Sequence, residues 1–99
     1  MDDRRRTILV VDDEPAVRDS LSLLLKSTFE VCVAEDGEEA LAVFEQVKPD
    51  LILLDLLMPK IDGLGVLRRL REQGFTVPVI MLTATTTVKT AVQAMKYGA

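Results

Sequence analysis

Polar residues able to do chemistry stand where apolar runs stop: Asp12 and Asp13 after Ile8-Leu9-Val10-Val11, Asp55 after Leu51-Ile52-Leu53-Leu54, and Thr83 after Val79-Ile80-Met81-Leu82. Carboxylates gathered at one point repel one another, and a hard divalent cation relieves that repulsion. Magnesium suits such a set, because it takes oxygen ligands, commonly one or two carboxylates completed by waters and a phosphate. A cation held by Asp12 and Asp13 beside Asp55 leaves one Asp55 oxygen as a nucleophile, with charge offset as a phosphoryl group arrives. Thr83 could donate a hydrogen bond to a phosphate oxygen. Each residue alone has a plainer reading: Asp12, Asp13 or Glu14 could cap a helix beginning at Pro15, and Thr83 could simply end a strand. Asp55 resists that reading, since Asp is disfavoured in strands and an isolated buried charge is costly.

For these residues to meet, the intervening chain must bring three strand ends together. Short continuous runs of Val, Ile and Leu alternate with longer stretches whose apolar residues recur at helical spacing, the pattern of βα units and a parallel sheet. Strands are expected at 8–11, 31–34, 51–54 and 79–82. Between them, Pro15 suits the first turn of a helix with Val17, Leu21, Leu24 and Leu25 inward and Arg18, Ser22 and Lys26 outward. Asp36-Gly37 reads as a turn, followed by an acidic Glu38-Glu39 first helical turn and a stripe of Ala40, Leu41, Phe44 and Val47. A third helix directs Leu64, Leu67 and Leu70 inward and Arg68, Arg69 and Arg71 outward, and Gly74 closes it. A last helix carries Val88, Ala91, Val92 and Met95 and ends at Gly98. In an open parallel sheet the crossovers are right-handed, so all C-terminal strand ends share one edge, and ligands bind where strand order reverses.

Ninety-nine residues, 48% hydrophobic and 28% charged, describe one folded domain rather than a disordered chain. The formal charge of -4 lacks the basic field that drives nucleic-acid binding, and residues 1–6, with Arg4-Arg5-Arg6, read as a flexible basic tail. A single cysteine, Cys32, within an apolar run implies a buried thiol and a reducing compartment. No apolar run nears the roughly 20 residues needed to span a bilayer, so the expected location is cytoplasmic. No glycine-rich phosphate loop is present.

From Thr7 to Ala99 the chain resembles the receiver domains of response regulators in two-component signalling. The resemblance rests on Ile8-Leu9-Val10-Val11-Asp12-Asp13-Glu14-Pro15, Asp36-Gly37, Leu53-Leu54-Asp55-Leu56-Leu57-Met58-Pro59 with Asp62-Gly63, and Pro78-Val79-Ile80-Met81-Leu82-Thr83-Ala84, in that order. It implies a flavodoxin-like, doubly wound parallel α/β sheet with strand order 2-1-3-4, lacking the last strand and helix of the five-unit fold. The lysine that contacts the phosphoryl group in this family would follow Ala99, and neither Lys89 nor Lys96 takes its place.

By the same resemblance, Asp55 is the phosphoacceptor, Asp13 a direct Mg2+ ligand, Asp12 an acid supporting the metal through water, and the Leu57 carbonyl a backbone ligand. Thr83 is the hydroxyl that moves toward the phosphoryl group, and Ala84 leaves it room. Leu57 and Thr85 occupy positions that tune the lifetime of the phosphoryl group. The implied partner is a sensor histidine kinase, with an output domain outside this chain and no catalysis beyond self-phosphorylation and slow hydrolysis. The alternative is a phosphorylation-independent interaction module. An aspartyl phosphatase would carry a second acid where Leu57 stands. An uncovered fourth strand is expected to favour self-association or swapping.

Overall fold

In the computed structural model, which describes residues 5–55, 63–81 and 98, strands and helices alternate. They are β1 (Thr7–Val11), α1 (Pro15–Leu25), β2 (Glu30–Ala34), α2 (Gly37–Val47), β3 (Leu51–Leu54), α3 (Gly63–Glu72) and β4 (Val79–Met81). The strands form one parallel sheet in the order β2-β1-β3-β4, as the resemblance implied. The expected strands at 8–11, 31–34 and 51–54 are present, the first two one residue longer at their starts. Leu82 and the expected helix at 85–97 lie outside the described residues.

Register divides the sheet into two faces. On one, Leu9, Val11, Ala34, Ile52, Leu54 and Val79 join Ala40 and Phe44 of α2 and Val66, Leu67 and Leu70 of α3 in a single core. On the other, Val33, Val10, Leu53 and Ile80 are cross-strand neighbours in one row. Val10 at its centre is fully buried, whereas Val33 and Ile80 at its ends are 41% and 52% exposed. Helix α1 packs on β1 and β2 and covers that side of the second face. Among the described residues, the first face is covered across all four strands and the second over β1 and β2.

Helix α1 sits differently from its expected orientation. Leu24, assigned to the inward stripe, is 74% exposed, while Arg18 and Ser22, assigned outward, are half-buried. At about 100° per residue, Val17, Leu21, Leu25, Arg18 and Ser22 fill one arc of roughly 140°, with Leu24 just beyond its edge. The helix is rolled so that Arg18 faces the sheet end, where its Nη1 donates to the Asp12 carbonyl at 2.7 Å. Along one flank, Ala16, Val17, Ser20 and Leu21 line an open apolar hollow of about 380 Å³.

Caps and turns define the other helix ends. Asp36 is the N-cap of α2, its Oδ1 accepting from the Glu39 N–H at 2.8 Å, so the expected turn is a capped helix start. Helix α3 closes as expected at Gly74, whose φ of 85° is left-handed. The Phe75 N–H bonds the Leu70 carbonyl and the Gly74 N–H bonds that of Arg71, the paired bonds of a Schellman close. Phe75 then meets Phe44 edge to face at 4.8 Å, with the Lys48 ammonium 5.6 Å above its ring. Arg71, expected to point outward, is half-buried and donates to the Phe75 and Gly98 carbonyls. Its long side chain satisfies backbone oxygens beyond the helix end.

No helix among the described residues is long and apolar enough to cross a membrane. The Cys32 thiol, half-buried on edge strand β2, is raised above its ordinary value by burial and then by the Glu30 carboxylate. Folding therefore favours the protonated thiol, and that contribution fades as pH climbs through the thiol range. Iodoacetamide at pH 8 should label Cys32 more slowly in the folded chain than in urea; equal rates would contradict this. Leu67→Ala should cost about 2–5 kcal/mol and the exposed Leu24→Ala within about 0.5 kcal/mol, read by urea unfolding.

Candidate functional site

Strand order reverses between β1 and β3: the chain leaves β1 for β2 on one side and returns through α2 to β3 on the other. A crevice opens at such a point beyond the strand ends. Val11 is paired with Leu54, so the residues that follow them emerge side by side. The Asp55 N–H bonds the Val11 carbonyl at 2.9 Å, and the Asp12 N–H bonds the Ala34 carbonyl at 3.1 Å, extending the ladder into the site. The backbone at Asp12 and Asp55 thus belongs to the sheet, although both lie beyond the strands proper.

The expected trio assembles. Asp12, Asp13 and Asp55 each offer a carboxylate oxygen, and these atoms lie within 4.8 Å of one another. Asp12 is 5% exposed, Asp13 is exposed and Asp55 is half-buried, so the cluster runs from the sheet interior out to solvent. Across an octahedral magnesium, opposite oxygens stand about 4 Å apart. The trio therefore matches such an ion to within a small side-chain movement, and its donors are of the hard oxygen type the ion requires.

The plainer capping reading holds in part. Asp12 Oδ1 accepts from the Glu14 N–H at 2.9 Å, an Asx turn leading into α1. Glu14 itself takes the N-cap position without a side-chain cap bond, and its carbonyl accepts from Val17 and Arg18. Asp12 thus orders the turn with one oxygen while remaining in the cluster. Arg18 was not among the expected site residues. The available signal was its place in the second turn, since helical side chains lean toward the N-terminus and reach over the preceding turn. Leu57, Thr83, Ala84, Thr85, Lys89 and Lys96 lie outside the described residues.

Residues 8–99 match the family model for the response regulator receiver domain. The chain is 49% identical over 80 residues to the alkaline phosphatase synthesis transcriptional regulatory protein PhoP of Bacillus subtilis, covering 80% of this chain and 33% of that protein. It is 41% identical over 100 residues to the DNA-binding response regulator MtrA of Mycolicibacterium smegmatis, covering 100% and 43%. Among solved structures, chemotaxis protein CheY4 of Vibrio cholerae superposes with a TM-score of 0.88 at 32% identity, covering 96% of this chain and 82% of that one. The BeF3-activated receiver domain of Klebsiella pneumoniae RstA gives 0.86 at 33% identity, covering 95% and 80%. The chain spans less than half the length of these curated relatives. With that crevice formed at the switch point of a parallel sheet, the chain belongs to the response-regulator receiver family of two-component signalling.

Proposed function

We propose that Asp55 accepts a phosphoryl group from a sensor histidine kinase, in the presence of Mg2+ held by Asp12, Asp13 and Asp55. The observation that carries this reading is the convergence of the three carboxylates within 4.8 Å at the β1–β3 crevice. In the transfer, a carboxylate oxygen of Asp55 forms a bond to phosphorus as the phosphorus–nitrogen bond of the donor histidine breaks, leaving an acyl phosphate. Mg2+, when bound, offsets the charge that accumulates on the phosphoryl oxygens. Asp12 and Asp13 hold the cation, and the sheet ladder at Asp55 holds the nucleophile.

Slow hydrolysis reverses the state: water bonds to phosphorus, the bond to Asp55 breaks, and phosphate leaves. Leu57 and Thr85 provide no charge to orient that water, Leu57 gives its carbonyl to the metal, and Thr83 reports phosphoryl arrival to the segment after it. We assign no turnover of an external substrate. PhoP is named a transcriptional regulatory protein and MtrA a DNA-binding response regulator, which supports a role as the input part of a cytoplasmic transcription regulator. Nucleic-acid contact is left to an output domain, in keeping with the net charge of -4.

Incubation with acetyl phosphate and Mg2+, followed by mass spectrometry, should show one phosphoryl adduct on the wild-type chain. Asp55→Asn or excess chelator should abolish it. Uptake that persists in Asp55→Asn would overturn the assignment, and an output response unaffected by that substitution would favour a phosphorylation-independent module.

We also propose self-association through β4. Among the described residues this strand pairs only with β3, and its Ile80 is 52% exposed. Sedimentation velocity should show mass rising with concentration and a weaker rise for Ile80→Glu. A single monomeric species throughout would refute this.

A further inference from the structure

Asp12 is held at three backbone or side-chain points. Its N–H bonds the Ala34 carbonyl of β2, its Oδ1 accepts from the Glu14 N–H, and its carbonyl accepts from Arg18 Nη1 at 2.7 Å. The first bond ties Asp12 to the sheet and the second to the start of α1. The third acts on the Asp12–Asp13 peptide itself. A peptide unit is planar, so fixing its oxygen fixes its N–H and the Cα of Asp13. Asp13 is exposed, and its direction depends on this plane more than on packing. Arg18 is half-buried, in the arc of α1 that faces the sheet. The guanidinium is planar and permanently charged, which suits it to hold a carbonyl in one orientation.

We infer that Arg18 is a positioning residue for the metal: by gripping the Asp12 carbonyl it sets the angle at which Asp13 meets Asp12 and Asp55. The inference rests on the reading of the trio as a Mg2+ site. Charge and geometry make opposite predictions for Arg18. As a nearby cation it repels Mg2+, so its removal would tighten binding; as a clamp it orders the ligands, so its removal weakens binding. The clamp dominates, because the bond is short and directed at the peptide that carries a ligand.

The test is calorimetric titration of Mg2+ alone into the wild-type chain, Arg18→Met, Arg18→Lys and Asp13→Asn, with thermal unfolding of each in chelator. Outer partners of metal ligands typically affect affinity by about 10–100-fold, and a partner acting through the backbone belongs near about tenfold. Arg18→Met should lose that much affinity. Arg18→Lys, which keeps one charged donor, should fall between it and the wild type. Wild-type or tighter binding by Arg18→Met overturns the inference, as does an unfolding temperature that falls while Mg2+ affinity stays fixed. If Arg18→Met does not fold, a folded Arg18→Lys with undiminished affinity overturns it equally. A wild-type chain that binds no Mg2+, or an Asp13→Asn that binds it undiminished, removes the metal reading itself. Wild-type binding with an unaltered Arg18→Met removes only the role of Arg18.

Discussion

The parallel pairing of β1 with β3 is the constraint on which everything else depends. With Val11 opposite Leu54, two chain segments more than forty residues apart in sequence deliver Asp12 and Asp55 to the same height at the sheet edge. A slip of one residue would turn Asp55 to the other face and exchange every apolar side chain between the two layers. The register is held by burial on both sides: Leu9, Val11, Ile52 and Leu54 lie beneath α2 and α3, and Val10 lies beneath α1. Apolar packing, which has no chemical role, thereby determines where the carboxylates stand.

The two layers are unequal. One joins helices α2 and α3 across all four strands, and the Phe44–Phe75 contact and the Gly74 close lock its lower corner. Among the described residues the other rests on α1, none of whose residues is fully buried. The site hangs from this more lightly packed layer. Hydrogen bonds compensate: Asp12 is bonded to β2, to the first turn of α1 and to Arg18. Directed polar contacts hold the ligand-bearing turn where apolar area is sparse.

Much of this was legible in the sequence, for reasons that differ by element. Continuous runs such as Leu51-Ile52-Leu53-Leu54 announce doubly covered strands because every position along them is apolar, leaving Asp55 conspicuous at the end. The acidic trio followed from topology alone. Periodicity was weaker at α1, where Leu23, Leu24 and Leu25 are consecutive and any of several rotations offers an apolar stripe. The observed rotation brings Arg18 onto a backbone carbonyl, and backbone carbonyls carry no sequence signature. The same holds for Arg71, which bonds the Phe75 carbonyl, and for Asp36, where a turn and an N-cap are written with the same residue.

Between Val11 and Pro15 the connection is only Asp12, Asp13 and Glu14. All of it is employed: two side chains face the crevice, the Asp12 carbonyl is held by Arg18, and the Glu14 carbonyl begins the helix. Surface loops usually absorb insertions and deletions readily, because their backbone is solvated and their length is slack. This one has no slack. Adding or removing a single residue would separate the carboxylates from the helix that steadies them, so in this segment length is as much a functional property as residue identity.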